Sequence, residues 1–497
     1  MMQRVLATAG VVMAGLVLAS LTTAVTAEDL PESRPNILFV FADELGFGDL
    51  GAYGNEQVET PHLDRLAREG GLFRQFHVAS GVCSPSRAAA MTGLYPARLG
   101  VHGHFAKREQ NESRGMPNHL DPAAPMVSRF LQEAGYATGH FGKWHLSGSP
   151  HDRAPSPRRY GFDRARVWTG PSPGVFENVP ARLRPADDDP NGRLQATRLS
   201  PAATVHAERF IRGAKQPWFV NLWLHETHHV VWATEEEKSR YAHVPEPQRT
   251  YLANVTRADT CVGQLLAALD ELGQTDRTLV IFSSDNGPEN SQPRPTDKLY
   301  YSVGETGGRR GRKRSLYLGG VTVPFVVRWP GVVPAGLVDD ATLLGGVDLA
   351  PTFLAAAGVQ PPSDYAPDGQ DMTAALRGEM FERDRPLFWQ WNAARPTSPA
   401  DWPTLAMREG PYALVLATDA TNRDEVVRAE LFDVLADPNQ QNDLAESQPE
   451  VLARMQAAAL EWERTLPEAP RSTLNAAKPK RKRGTAPAKA KPAADRG

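Results

Sequence analysis

The sequence predicts an α/β fold in which a large, mostly parallel sheet lies between helices, with a smaller α+β subdomain near the C-terminus. Continuous apolar runs at 35–42, 217–224 and 278–284 are typical of strands that are buried on both faces of a parallel sheet. A segment with clear helical periodicity spans 250–272 and ends at Gly273. Beyond residue 380, short strand-like runs at regular spacing predict an antiparallel sheet.

Capping residues and turns set the limits of the other elements. A helix begins after Thr60, has Pro61 at its first position and ends at Gly70. The segment 151–201 is rich in Pro, Arg and Asp and predicts a long loop, which we expect to carry substrate choice. The remaining predicted elements are helices over 125–134, 347–358 and 449–465, and strands over 136–142, 325–329, 387–391, 405–408, 412–416 and 430–433.

The chain is long enough for two folded units, since 497 residues exceed an average domain. We predict an N-terminal domain over 34–358 and a C-terminal subdomain over 368–466, joined by a proline-rich segment. The tail over 471–497 carries nine Lys and Arg residues against one acidic residue, and this composition predicts disorder.

The first 27 residues have the features of a signal peptide. Arg4 precedes an apolar stretch, and small residues before Ala27 fit a cleavage site after that residue. We therefore expect a secreted or periplasmic protein without an integral membrane span after cleavage. An uncleaved membrane anchor is the alternative, because the apolar stretch is about long enough to cross a bilayer.

Composition limits the partner classes. Hydrophobic residues make up 41% and charged residues 23% of the chain, which is ordinary for a globular protein. The net charge of −3 argues against nucleic acid as the main partner. Two cysteines, Cys83 and Cys261, would permit a disulfide in an exported protein. Cys261 lies in a helical pattern, where a small core residue is the simplest interpretation.

The stretch 81–93 places a cysteine at the start of a predicted helix. Pro85 fits the first turn, three alanines follow, and Gly93 ends the helix. Cys83 would then lie at the positive end of the helix dipole, where backbone N–H groups favour an anion. Arg87 lies one turn further on the same face and could reach back to Cys83. These residues predict a reactive atom in an anion site; an inert buried cysteine is the alternative.

Oxygen-bearing side chains follow two of the apolar runs. Asp43 and Glu44 come after the first run, and Asp285 and Asn286 come after 278–284. Because ligands bind at the carboxyl ends of strands in open α/β sheets, these side chains predict a divalent cation site. A solvated acidic pair is the alternative for Asp43 and Glu44.

Basic and imidazole side chains occur at three further places. Lys143 and His145 follow the strand over 136–142 and project to the same side of an extended chain. The segment 225–229 holds three histidines, a residue type that also suits zinc. The run 309–324 begins with the densest basic cluster of the folded part, for which a polyanion-binding patch is one interpretation.

Together these motifs resemble the type I, formylglycine-dependent sulfatase family, and in particular its N-acetylgalactosamine-6-sulfatase and arylsulfatase A group. The segment Cys83–Arg87 resembles the first family signature and Gly142–Leu146 the second. Similar stretches at 35–54, 284–287 and 313–324 follow in family order, so that the resemblance covers 34–466. It departs from the family where Glu44 replaces an Asp and Thr227 replaces a Pro.

The resemblance implies an alkaline-phosphatase-like sulfatase fold and a sulfuric ester hydrolase that acts on a sulfated carbohydrate or an aryl sulfate. It also implies that a formylglycine-generating enzyme converts Cys83 to 3-oxoalanine. The implied metal is one Ca²⁺, with Mg²⁺ as an alternative, bound by Asp43, Glu44, Cys83, Asp285 and Asn286. The oxygen-rich set disfavours zinc.

The implied catalytic residues are Cys83, Arg87, Lys143, His145, His228 and Lys313. By resemblance, Lys143 and Lys313 bind sulfate, His145 hydrogen-bonds the formylglycine hydroxyl, and His228 protonates the leaving alcohol. We further expect Arg310, Arg312 and Arg314 to extend the attraction toward a polyanionic chain. Two other functions stay open, a phosphomonoester or phosphonate hydrolase on the same fold and a non-catalytic binder of sulfated glycans.

Overall fold

A computed structural model of the protein describes residues 34–148, 154–169, 174–184, 193–215, 217–229, 231–289, 303–391, 403–419 and 422–467. The predicted signal peptide over 1–27, the predicted tail over 471–497 and parts of the predicted loop over 151–201 lie outside the described residues. None of the described helices combines the length and the apolar character needed to cross a bilayer.

The strands in the described ranges are β1 (Asn36–Ala42), β2 (Gly71–Phe73), β3 (Phe76–His77), β4 (Ala137–Lys143), β5 (Arg164–Trp168), β6 (Trp218–Trp223), β7 (Thr278–Ser284), β8 (Phe325–Arg328), β9 (Leu337–Asp339), β10 (Leu344–Gly345), β11 (Leu387–Gln390), β12 (Leu405–Glu409), β13 (Tyr412–Thr418) and β14 (Val426–Asp433). The helices are α1 (Pro61–Glu69), α2 (Cys83–Thr92), α3 (Arg108–Ser113), α4 (Val127–Glu133), α5 (Arg193–Gly213), α6 (Glu235–Ser239), α7 (Gln248–Glu271), α8 (Leu318–Val321), α9 (Leu349–Ala356), α10 (Thr373–Leu376) and α11 (Pro449–Arg464). Short 3₁₀ helices cover Gly51–Tyr53, Pro96–Leu99, Pro157–Tyr160, Ala181–Leu183, Thr275–Arg277 and Gly346–Asp348.

The main sheet has the strand order β5-β4-β6-β1-β7-β8-β2-β9. The first five strands are parallel to one another, whereas β8 is antiparallel to both of its neighbours. Every residue of β1, β6 and β7 is buried, as expected for central strands that are covered on both faces. The predicted α/β class with a large, mostly parallel sheet is confirmed.

Two elements differ from the sequence prediction. The last part of the predicted loop over 151–201 belongs to α5, whose 21 residues include Pro201. This helix packs against α7 and β4. The same segment also holds β5, an edge strand whose burial pattern is mostly partial or exposed. Tertiary packing thus stabilises a helix that its proline disfavours, and an edge strand does not need a continuous apolar run.

The C-terminal part forms the predicted antiparallel sheet, in the order β11-β12-β13-β14, with α11 packed against it. Its core is continuous with one side of the main sheet, since Trp389, Met455 and Trp462 belong to the same buried cluster as Phe39 and Phe325. The Trp389 indole N–H donates to the Val78 carbonyl at 2.7 Å. These contacts fix the C-terminal sheet against the region that precedes α2.

Candidate functional site

The predicted site residues of four strands meet at one edge of the main sheet. In the strand register, Ala42 of β1 pairs with Ser284 of β7, while Phe41 of β1 and Gly142 of β4 both pair with Trp223 of β6. The residues that follow these strands therefore emerge side by side, because parallel strands end at the same edge. They are Asp43 and Glu44 after β1, His225 to His229 after β6 and Asp285 and Asn286 after β7, with Lys143 as the last residue of β4.

Cys83 lies at the beginning of α2, which is buried over its whole length. Its Sγ lies 3.2 Å from His145 Nδ1, and His145 Nε2 lies 3.0 Å from the Phe105 carbonyl oxygen. Since a carbonyl only accepts, Nε2 carries the proton and Nδ1 of the neutral ring faces the cysteine. Burial lowers the pKa of His145 well below its ordinary value, and burial raises the pKa of the Cys83 thiol to about 11.

The place of Arg87 one turn along the helix suggests that it reaches back to Cys83. Its guanidinium instead donates to the carboxylate of Asp285, which follows β7. Its Nε and Nη2 donate to Asp285 Oδ2 at 2.9 and 2.6 Å, and Nη2 lies 3.8 Å from Asp43 Oδ1. The three side chains are fully buried. The Arg87 guanidinium also lies 4.8 Å from the centroid of the Trp223 ring. Arg87 therefore holds two predicted metal ligands near the helix that carries Cys83.

Lys143 forms a buried ion pair with Asp43 Oδ2. Burial by itself would raise the pKa of Asp43, but Lys143, His228 and Arg87 together hold it well below its ordinary value. Burial raises the pKa of Asp285 to about 7, although Arg87 acts in the opposite direction. The surroundings of Asp43 therefore favour its charged form more strongly than those of Asp285 do when no metal is bound.

Glu44 joins Lys313 and His228 at the open side of the site. Its Oε1 accepts from Lys313 Nζ and lies 3.1 Å from His228 Nε2, and its backbone is held in the left-handed region at φ 67°. Burial and the nearby Arg314 lower the pKa of Lys313 to about 7. Burial also lowers the pKa of His228 well below its ordinary value. A glutamate in this strained position costs free energy, which suits a functional rather than a structural role.

The oxygen ligands predicted for a cation contain buried atoms without a hydrogen-bond partner in the described structure: Asp43 Oδ1, Glu44 Oε2 and Asn286 Oδ1. Ligand atoms of Asp43, Cys83 and Asp285 also lie within 4.8 Å of one another. Buried polar atoms normally have partners, because leaving one unpaired costs about 1–3 kcal/mol. The residues therefore fit a hard, oxygen-preferring divalent cation.

The rings of the three histidines after β6 pack against one another at the edge of this site. The His225 and His228 ring centroids are 5.5 Å apart, and those of His228 and His229 are 4.8 Å apart. Burial lowers the pKa of His225 to about 4. His228 is the member of the stack that contacts a predicted metal ligand.

The basic run over 309–316 packs directly on the loop that precedes Cys83. The Arg314 N–H donates to the Gly81 carbonyl at 2.8 Å, and a Cβ on Gly81 would lie 2.6 Å from the Ser315 carbonyl oxygen. Gly81 is therefore needed for this close approach, which also brings Lys313 into the site. Lys313 is held from the other side, where its N–H donates to the Pro288 carbonyl at 2.9 Å.

The three arginines around Lys313 differ in their contacts. Arg310 pairs with Glu430 at 3.0 Å and stacks over Tyr317, and Arg312 donates to the carbonyls of Glu289 and Gly304. Arg314 in turn pairs with Glu289. All three arginines therefore have partners within the protein, and their expected role in binding a long polyanion stays a prediction.

Glu289 is a site residue that the sequence analysis did not identify. It is only 5% exposed, and its carboxylate pairs with Arg314 and lies 3.4 Å from Lys313 Nζ. Glu289 could have been identified from its position, because it is an acidic residue four residues after Asp285, on the segment that follows the predicted metal ligands.

Two family models match the chain: one described as Sulfatase matches residues 35–359, and one described as N-sulphoglucosamine sulphohydrolase, C-terminal, matches residues 309–463. The chain is 33% identical over 388 residues to N-acetylgalactosamine-6-sulfatase from Canis lupus familiaris, with 71% of this chain and 68% of the relative covered. It is 29% identical over 497 residues to N-acetylgalactosamine-6-O-sulfatase from Bacteroides thetaiotaomicron, with 85% and 91% covered. The solved structure of Ps i-CgsB has a TM-score of 0.71 at 27% identity, with 86% of this chain and 92% of that chain covered.

Proposed function

Because the chain belongs to the sulfatase family and is a sulfuric ester hydrolase, we propose that it removes sulfate from a sulfated carbohydrate with the aid of a formylglycine made from Cys83 and one bound divalent cation. The observation that carries this proposal is the convergence of Cys83, Lys143 and Lys313 on a sheet edge where three buried ligand oxygens have no partner in the described structure. The two lysines suit a small tetrahedral anion, and the unpaired oxygens suit the cation.

The charge of the site supports binding of a sulfate ester. A sulfate monoester is negatively charged at every relevant pH, so a site that binds it must offer positive charge. Lys143 and Lys313 are only 3% and 5% exposed, and their ammonium groups therefore act in a region of low dielectric. In the described structure they neutralise Asp43 and Glu44. We propose that both lysines turn to the sulfate oxygens when the cation neutralises these carboxylates.

We propose that Asp43, Glu44, Asp285 and Asn286 hold the cation, with the modified residue 83 as a further ligand. The donor set of carboxylate and amide oxygens favours Ca²⁺, with Mg²⁺ as the alternative. A bound divalent cation supplies charge stabilisation at an oxygen of the sulfate group. Arg87 orients the Asp285 carboxylate through two hydrogen bonds, and this contact keeps that ligand at the beginning of α2.

Two histidines lie next to these charged groups and are proposed to transfer protons. Formylglycine supplies a hydrated aldehyde as the nucleophile in place of a thiol. His145 Nδ1 faces the side chain of residue 83 at 3.2 Å, and its orientation is fixed by the Phe105 carbonyl, so His145 is placed to accept a proton from a hydroxyl there. His228 is neutral in the free site, but a bound anion favours its charged form. We propose that His228 takes up a proton when substrate binds and passes it to the leaving oxygen.

The relatives support a carbohydrate as the substrate class. Several matched relatives are named N-acetylgalactosamine-6-sulfatases, and the Ps i-CgsB structure was also solved in complex with k-i-k-neocarrahexaose. We propose that this chain likewise acts on a sulfated sugar outside the cytoplasm, after removal of residues 1–27. We also propose that a formylglycine-generating enzyme modifies Cys83, since that residue heads a Cys-x-Pro-x-Arg motif.

The decisive experiment combines mass spectrometry with activity on a panel of sulfated saccharides. Conversion of a thiol to an aldehyde removes about 18 mass units from the peptide that contains Cys83, by atom counting. Cys83→Ser should fold but lose turnover, because a serine cannot be converted to the aldehyde hydrate under these conditions. Cys261→Ala is the matched control: its thiol is equally buried but lies in α7, and the variant should keep its activity.

Three outcomes would contradict the proposal. Full activity of Cys83→Ser would exclude a modified Cys83 as the nucleophile. Faster hydrolysis of phosphomonoesters than of any sulfate ester would favour the phosphatase alternative. An unmodified Cys83 in the exported protein, together with tight binding but no hydrolysis of sulfated sugars, would favour a non-catalytic binder.

A further inference from the structure

We propose a second metal site, for an ion of the zinc class, formed by Glu44, His228 and His229 at the open side of the pocket, and we propose that its occupation inhibits hydrolysis. The inhibition, but not the binding, rests on the function proposed above. The ligand atoms of these three residues lie within 4.8 Å of one another. The set differs from the proposed calcium site in its chemistry, because two imidazoles accompany a single carboxylate.

The distances favour this group. Glu44 Oε1 lies 3.1 Å from His228 Nε2. Zinc bonds of about 2.0–2.2 Å place tetrahedral ligand atoms about 3.3–3.6 Å apart, so this pair needs little movement. His229 stacks on His228 with an interplanar angle of 22°, and its Nδ1 lies 3.6 Å from Glu289 Oε2, so its ring must rotate out of the stack to reach the same ion. Three protein ligands would leave one position open to solvent, as in zinc sites that exchange a ligand.

Access and ligand type also support the site. The His228 and His229 side chains are 23% and 36% exposed, whereas Glu44 is fully buried behind them. An ion can therefore enter from solvent and find a buried carboxylate. Imidazole nitrogen suits zinc, copper and nickel but not calcium or magnesium, which prefer oxygen. The open side of the pocket is thus selective for a different class of ion from its buried side.

Occupation would compete with two contacts of the proposed active site. Lys313 would lose Glu44 Oε1 as its partner, although Glu289 Oε2 at 3.4 Å remains as a second carboxylate. His228 would bind the ion through a nitrogen and could not pass a proton to a leaving group. The Oε2 atom of Glu44 has no part in the contact with His228, so the proposed calcium site keeps a ligand oxygen.

The test uses the mature, calcium-loaded enzyme and zinc chloride as the probe. Equilibrium dialysis with metal analysis gives the zinc stoichiometry, and hydrolysis of a sulfate ester gives the zinc concentration for half inhibition. The diagnostic variant is His229→Asn, which removes a ligand and keeps every proposed catalytic residue, although the ring that stacks on His228 is lost. His243→Asn is the matched control, because His243 is an exposed histidine in the same part of the chain.

Wild type and His243→Asn should bind one zinc ion per chain and lose activity at the same zinc concentration. His229→Asn should keep wild-type activity without zinc but need about tenfold more zinc, or still more, for half inhibition, since changes even behind a metal ligand cost 10–100-fold in affinity. Equal zinc sensitivity of His229→Asn and wild type would overturn the proposal and locate zinc at Asp43, His225 and His228 or at the calcium ligands. An active enzyme that neither binds zinc nor is inhibited by it would also overturn it. An enzyme that binds zinc at His229 but hydrolyses no sulfate ester would support the site and contradict the proposed function instead.

Discussion

Replacement of Arg87 by Met should destabilise the metal-free protein in a pH-dependent way. Arg87 donates two hydrogen bonds to Asp285 at 2.6 and 2.9 Å and lies 3.8 Å from Asp43, and all three side chains are fully buried. Removal of one partner of a buried ion pair typically costs about 3–5 kcal/mol. We expect the lower end of this range at pH 7, because Asp285 already has a pKa of about 7 and can take up a proton when its partner is lost.

The sign of the pH dependence follows from the Asp285 carboxyl. Its pKa is higher in the folded than in the unfolded protein, so stability falls as pH rises from about 4 to the folded-state pKa. In wild type this fall ends near pH 7. Loss of Arg87 raises the folded-state pKa further, and the fall continues above pH 7. The difference in unfolding free energy between variant and wild type should therefore grow by about 1.4 kcal/mol per pH unit above pH 7.

Urea denaturation in EDTA at pH 6, 7, 8 and 9 measures this difference. Arg328→Met is the matched control, because Arg328 is also a buried arginine but its partner Glu69 is 38% exposed and can be hydrated. The control should show no added slope above pH 7, and the double variant Arg87→Met/Asp285→Asn should lose the slope. Parallel pH curves for Arg87→Met and wild type would refute the reasoning that Arg87 holds the charge of Asp285.

Three further predictions concern the proposed active site. Lys313→Ala should lower kcat/KM about 100- to 1,000-fold, which corresponds to the loss of about 2.7–4 kcal/mol typical of a buried oxyanion-binding group. Lys215→Ala is the control and should stay within twofold of wild type, because Lys215 is exposed and precedes β6, whereas the site follows that strand. Since the ammonium of Lys313 is charged below its pKa of about 7, kcat/KM should decline above pH 7, and Lys313→Arg should move this decline to higher pH; an unmoved decline would assign it to another group. Glu44→Gln should weaken Ca²⁺ binding about tenfold by titration calorimetry, because a charged ligand becomes neutral, and an unchanged Kd would remove Glu44 from the ligand set.

The sequence predicted the central strands well because their composition leaves few alternatives. The strand Thr278–Ser284 has the predicted bounds, and every residue in it is buried. Edge elements were harder to predict. β5 carries Arg164 and Arg166 and pairs on one side only, and α5 contains a proline that usually ends a helix. Their structure depends on neighbours that are distant in the sequence.

In the site, too, the sequence indicated the residue types but not the contacts between residues that are far apart in the chain. Residue types at the strand ends indicated the predicted ligands and Lys143, and the family resemblance indicated Lys313. The structure brings these residues together at one edge. The pairing could not be read from the sequence, because Lys143 meets Asp43 across 100 residues and Lys313 meets Glu44 across 269. Arg87 illustrates the limit: helical spacing places it near Cys83, but a buried carboxylate from β7 is the stronger attraction for its guanidinium.

The continuous core between the two sheets has a consequence for how the protein can be shortened or recombined. The Phe388 and Trp462 rings stack with their centroids 4.8 Å apart, and Trp462 also contacts Tyr95, which lies three residues beyond the end of α2. A gene fragment that stops before β11 would lack Phe388 and Trp462, would expose Tyr95 to water and would remove the support behind that helix. A shortened enzyme should therefore keep both the main sheet and the C-terminal sheet, which share this core. New sequence is better inserted in surface turns.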